Sequence, residues 1–159
     1  MVILGIDPGT SIVGWAAIKK NAAGNAAFID AGAVRPETRN ASRQLLEIHK
    51  ALTRLIDIHR PELIALEKIF FSKNIKTALR VAEARGVILL TAALKEIRVC
   101  EYTPNEVKLA ATGYGKADKR QVKEMMKLLL KKPDMPALDD VTDAMAIAFT
   151  ALGATSAKY

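Results

Sequence analysis

The feature that most constrains the fold is the opening stretch, Val2-Ile3-Leu4-Gly5-Ile6-Asp7-Pro8-Gly9-Thr10-Ser11. A short apolar run reads as a central strand covered on both faces. Asp7 comes where that run ends, and Pro8-Gly9 stops the strand and turns the chain. A carboxylate at the mouth of a central strand is held by rigid backbone and stays open to solvent, which suits a metal ligand. An Asp that merely starts a turn gives the same local pattern, so the rest of the chain has to decide.

At 159 residues the chain is long enough for one domain with a sizeable core. No charged-then-apolar leader opens it, and no apolar run approaches the length of a membrane span. The single Cys100 has no partner for an internal disulfide, so a cytoplasmic protein is expected. Lys and Arg outnumber Asp and Glu by 24 to 17, a net charge of +7. That balance favours a polyanionic partner, nucleic acid before membrane, because no basic amphipathic helix with aromatic anchors appears.

The next elements follow from period and punctuation. Ile12 to Ile18 is a second apolar run, 21–25 a hairpin loop around Gly24, and Ala26 to Val34 a third strand, together an antiparallel meander. Apolar residues at helical spacing from Leu45 to Ile56 predict an amphipathic helix over Ser42 to His59, capped by Asn40 or Ser42. Leu63-Ile64-Ala65-Leu66 is then a buried strand with Glu67 directly after it, reached by a crossover and so parallel to a neighbour. A long helix is expected from Ile75 to Glu96, with a seam of Ile75, Leu79, Ala82, Gly86, Leu90 and Ala93. Its small residues Ala78, Ala82 and Gly86 permit close helix approach, either within the chain or at a subunit interface. A fifth strand spans Arg98 to Tyr102, a short helix Pro104 to Ala110, and Asp118 caps another helix. Lys119, Lys123, Lys127 and Lys131 lie four apart along that helix, a pattern that serves as a solvated face or, beside the glycine loop bearing Lys116, as a phosphate contact. A closing apolar helix begins near Leu138, and Gly153 to Tyr159 reads as a tail. One domain over 1–152 with a five-stranded mixed α/β sheet is the expected architecture.

Four acids remain that element packing does not require: Asp7, Glu67, Asp140 and Asp143. Asp140 and Asp143 share a helix face about a turn apart, as do Asp139 and Asp143, which leaves Asp139 and Asp140 as alternatives. Asp7 and Glu67 end two strands expected to be neighbours. If the last helix crosses those strand ends the carboxylates converge, and converging carboxylates stay ionised only with cations among them. Oxygen-only ligation points to Mg²⁺ or Mn²⁺ rather than zinc. Two such ions suit in-line displacement at phosphorus. His49 and His59 read as surface or cap residues far from these acids, and Cys100 as a small core residue.

With those residues in view the chain resembles the RuvC family, bacterial Holliday junction resolvases of the ribonuclease H-like fold. The resemblance rests on Gly5-Ile6-Asp7-Pro8-Gly9-Thr10, Leu66-Glu67-Lys68-Ile69-Phe70-Phe71-Ser72-Lys73-Asn74, Ala84-Arg85-Gly86-Val87 and Asp140-Val141-Thr142-Asp143-Ala144-Met145-Ala146-Ile147-Ala148, in order from Val2 to about Leu152. It implies Asp7, Glu67, Asp140 and Asp143 as ligands of two Mg²⁺ ions per subunit, with Mn²⁺ able to substitute, and leaves Asp139 as a helix cap. It implies that Phe70 stacks near the crossover and that Lys108 and Lys119 contact DNA or assist at the scissile phosphate; Lys116 is added as a phosphate-binding residue. It further implies a homodimer nicking a four-way DNA junction symmetrically, leaving 5′-phosphate and 3′-hydroxyl ends, beside a branch-migration motor. Two rival readings fit less well. A purely architectural junction binder gains nothing from clustered negative charge, and an actin-like ATPase needs a second lobe for which the chain has no room.

Overall fold

A computed structural model describes residues 1–9, 11–68 and 75–156. Within these residues, five strands and five helices follow in the order β1 (Val2–Pro8), β2 (Val13–Lys20), β3 (Ala26–Val34), α1 (Ala41–His59), β4 (Leu63–Glu67), α2 (Ile75–Leu94), β5 (Arg98–Tyr102), α3 (Pro104–Thr112), α4 (Lys119–Leu129) and α5 (Asp139–Ser156). The strands form one sheet in the order β3-β2-β1-β4-β5. β1 and β3 flank β2 antiparallel, whereas β1, β4 and β5 run parallel, as the helical crossovers require.

The two-residue period of the strands divides their side chains between two cores. Leu4, Ile6, Ile64 and Leu66 meet Ile48, Leu52 and Ile56 of α1 and Ile88 of α2. Ile3, Leu63 and Ala65 meet the opposite layer, including Met126 of α4 and Met145, Ile147 and Ala148 of α5. Asp7 follows Ile3 and Gly5 on the second face, and Glu67 follows Leu63 and Ala65. Both acids are thereby aimed at the α5 side before any tertiary contact is considered.

Local chemistry sets the element ends. Asn40 caps α1 through its side chain, which accepts from the Arg43 amide at 3.1 Å. Thr103 with Glu106, and Asp118 with Gln121, form reciprocal capping boxes at the starts of α3 and α4. α5 begins at Asp139, which is the helix's first residue rather than a cap before it, and runs on through Gly153 to Ser156. The expected tail from Gly153 is therefore helical as far as Ser156.

The surface reading of the two histidines is overturned, although His59 does end α1. His49 Nδ1 stands 2.8 Å from Thr91 Oγ1 and ties α1 to α2. The His59 side chain is only 8% exposed, 3.8 Å from Asp30, with its ring tilted 5.4 Å from that of Trp15. Both fasten α1 to its neighbours. The α2 seam is also redistributed. Ala78, Ala84, Ile88 and Ala92 turn inward, while Leu79 and Leu90 are 59% and 58% exposed and Gly86 has no atom within 4 Å of where its Cβ would lie.

Candidate active site

α5 crosses the strand ends at atomic contact, and glycines make that possible. A Cβ on Gly5 of β1 would stand 2.2 Å from the Ala144 carbonyl oxygen, and one on Gly14 of β2 would stand 2.1 Å from that of Asp140. Gly14 is the register partner of Asp7. The first turn of α5 therefore lies beside the carboxylate that ends β1. The Asp140 side chain reaches the turn after Asp7, because a Cβ on Gly9 would be 3.7 Å from Asp140 Oδ1. Glu67 joins from the parallel neighbour, where Ile6 pairs with Leu66 one residue earlier.

The electrostatics register this crowding. Burial, then the charges of Asp143, Glu67 and Asp140, push the Asp7 carboxyl up to about 7, against a lowering by Lys119. Glu67 is raised by burial and then by Asp143, and lowered by Lys119 and Lys108. Asp143 is raised by burial, with the Lys119 hydrogen bond and charge opposing and Asp139 and Asp140 adding to the rise. The charges of the other three expected acids thus all reach Asp7.

The cation in this group is Lys119, the first residue of α4. Its Nζ donates to Asp143 Oδ2 at 3.0 Å and lies 3.8 Å from Asp139 Oδ2. The hydrogen bond to Asp143 raises the lysine's own pKa, partly offset by desolvation. Asp139 is exposed and paired outward to this lysine, whereas Asp140 turns to Gly9 and Asp7.

The other basic residues separate. Lys108, half-buried on α3, is close enough to lower Glu67. Lys116 is exposed on the loop between α3 and α4, lining a shallow depression with Tyr114 and Glu106. Lys123 donates to the Pro136 carbonyl at 3.0 Å and Lys127 pairs with Glu124 at 2.7 Å, so these two brace the surface. Of the four-spaced lysines only Lys119 reaches the acids. Phe70 and Phe71 lie outside the described residues. Sequence reasoning missed Gly5 and Gly14 as positioning residues, although a glycine within each of two adjacent apolar runs signals close backbone approach.

Among the described residues no three His, Cys, Asp or Glu side chains already stand as a ligand set for one ion. The chemistry of the donors nonetheless fits a hard divalent cation. The acids offer only oxygen, and desolvated carboxylates raised by mutual repulsion have a charge deficit that one ammonium group does not cancel.

A mixed sheet of this order, with acids under its closing helix, is that of the ribonuclease H-like class. A family model described as crossover junction endodeoxyribonuclease RuvC matches residues 3–151. The chain belongs to the RuvC family. The crossover junction endodeoxyribonuclease RuvC of Halothermothrix orenii is 46% identical over 149 residues, covering 92% of this chain and 89% of that protein. That of Brevibacillus brevis is 44% identical over 151 residues, covering 94% and 90%. Among solved structures, T. thermophilus RuvC in complex with Holliday junction substrate superposes with a TM-score of 0.87 at 28% identity, covering 98% of this chain and 96% of that one. The yeast mitochondrial Holliday junction resolvase Ydc2, at 14% identity and a TM-score of 0.67, shares the fold over 94% of this chain and 78% of that one.

Proposed function

We propose that this protein resolves Holliday junctions as a Mg²⁺-dependent homodimer, making paired symmetric nicks that leave 5′-phosphate and 3′-hydroxyl ends. The observation that carries the catalytic part is the acid group around Asp7, whose carboxyl is raised by burial and by Asp143, Glu67 and Asp140, beside the first turn of α5 packed on Gly14. Asp7, Glu67, Asp140 and Asp143 would hold two Mg²⁺ ions, or Mn²⁺ in their place. When bound, such ions supply the positive charge that activates water and stabilises the leaving 3′ oxygen in phosphodiester hydrolysis.

The chain's own residues do the rest. β1 and β4 hold Asp7 and Glu67 on rigid backbone, and the contacts at Gly5 and Gly14 fix the α5 acids against them. Lys119, on the capped start of α4, brings an ammonium group to the acid edge, where the scissile phosphate would lie. Lys108 adds a second cation beside Glu67, and Lys116 a phosphate contact farther out. Phe70 takes the stacking role at the crossover that the family resemblance assigns.

A four-way junction has two-fold symmetry and is best read by a two-fold protein with one site per subunit. The exposed α2 stripe of Leu79, Ala82, Gly86 and Leu90 is the surface we assign to the partner subunit. Ala78 packs into its own chain and drops out of that surface. The protein works in the cytoplasm beside a branch-migration motor.

Asp7→Asn tests the site. It removes a charge but keeps shape, so junction binding in a gel-shift assay persists while nicking of a synthetic junction in Mg²⁺ is lost. Wild-type cleavage by that variant would refute the metal assignment.

A further inference from the structure

At the opposite end of the sheet from the acids lies an open groove of about 780 Å³. The β2–β3 hairpin, the end of α4 with the residues after it, and the last turns of α5 enclose it. Phe28, Leu129, Phe149 and Leu152 give it an apolar floor, and Lys131 and Lys132 line it without any acidic residue. Asp7 pairs with Gly14 at one end of the β1–β2 ladder and Val2 with Lys19 at the other. Strand rise along β2 and helix rise along α5 both place the groove roughly 20 Å from the acid cluster.

Three properties define an occupant. The first is charge: Lys132 Nζ sits 4.5 Å over the Phe28 ring, so its ammonium is held by a π face and remains available to a carboxylate. The second is the apolar floor, which rewards side chains that leave water. The third is backbone: Ala26–Phe28 belong to β3, which ends the sheet and pairs with β2 alone. An edge strand can accept an extended peptide.

Nucleic acid fits less well. A single strand needs aromatic faces on which successive bases stack, and of the two in the groove Lys132 already covers that of Phe28, which leaves Phe149 alone. DNA engaged at the acid cluster is addressed by the other end of the sheet. A second copy of this chain would bring the same lysines, and like charges repel. We infer that this groove docks an extended, acidic segment of a partner protein, its carboxylates on Lys131 and Lys132 and its apolar side chains on the floor.

The test uses the full-length protein and fluorescence anisotropy. The probes are a short labelled peptide alternating Glu with Leu and Val, its counterpart with Lys for Glu, and a labelled single-stranded oligodeoxynucleotide. Two variants probe the groove by separate means. Lys131→Glu with Lys132→Glu reverses its charge. Gly153→Trp fills it, because Gly153 lines the groove and has no atom within 4 Å of where its Cβ would lie. The acidic peptide should bind saturably, the basic one should not, and each variant should weaken the acidic peptide by about tenfold or more. Circular dichroism and junction cleavage should be unchanged in both. The proposal is overturned if the acidic peptide does not saturate, or binds both variants as it binds the parent. It is equally overturned if the variants lose oligonucleotide binding or junction cleavage instead, which would make the groove part of the DNA path.

Discussion

Gly14 lies directly beneath Asp140: a Cβ on the glycine would stand 2.1 Å from the aspartate's carbonyl oxygen. The obstacle is helix backbone, so no side-chain rotation relieves it. Gly14→Ala should lower stability by about 1–3 kcal/mol through overpacking. Cleavage should fall further than the unfolded fraction explains, since the first turn of α5 must lift away from Asp7. Urea denaturation read beside junction cleavage well below the midpoint separates the two losses.

Asp7 binds its proton far more tightly when folded than its ordinary value of 3.8, holding it up to about 7. Between those values the unfolded chain is ionised there and the folded chain is not, so stability declines as pH rises from about 4 to about 7. Glu67 and Asp143, also raised, act in the same direction. Without divalent cation, the Tm in EDTA should therefore decrease across that window. Asp7→Asn should flatten the decline, raise the Tm at pH 8 and add stability there on the order of a few kcal/mol. Added Mg²⁺ should restore parent stability at pH 8 by binding the folded state.

Lys119 lowers Asp7, Glu67 and Asp143 alike. In Lys119→Met those acids ionise at higher pH, so the acid limb of the pH–rate profile should move upward. Cleavage at neutral pH should drop on the order of 10²-fold, as for loss of one charge-stabilising donor. A profile unmoved on the pH axis would contradict the coupling.

Leu90 is 58% exposed and stands on the α2 stripe assigned to the partner subunit. Leu90→Glu should convert a dimer to a monomer in sedimentation analysis. Protomer stability should change by no more than about 0.5 kcal/mol, the usual range for an exposed position.

Much of this architecture was legible because it is local. The apolar run into Asp7-Pro8-Gly9 announced a central strand with an acid at its end, and the spacing of Asp140 and Asp143 put both on one helix face. Asp118 declared its helix by side-chain chemistry alone, and of Asn40 and Ser42 it is Asn40 that caps α1. The unread parts depend on distant partners. His59 looks like a helix-end residue until Trp15 of β2 covers it, and nothing near it in sequence records that contact. The α2 seam was misassigned because Leu79 and Leu90 satisfy helical spacing as well as Ala84 and Ile88 do. Only the packed sheet decides which stripe is inside. By spacing alone Lys119 resembled its neighbours, and only the family resemblance set it apart; its reach to the acids comes from where α5 delivers Asp143.

The α5 contact also ties the site to local unfolding. The four acids proposed as ligands come from β1, β4 and α5, elements that are distant in sequence. An opening that lifts α5 from Gly5 and Gly14 parts Asp140 and Asp143 from Asp7 and Glu67. Under the proposed function, a molecule loosened at that one helix is silent as a nuclease while its sheet is still intact.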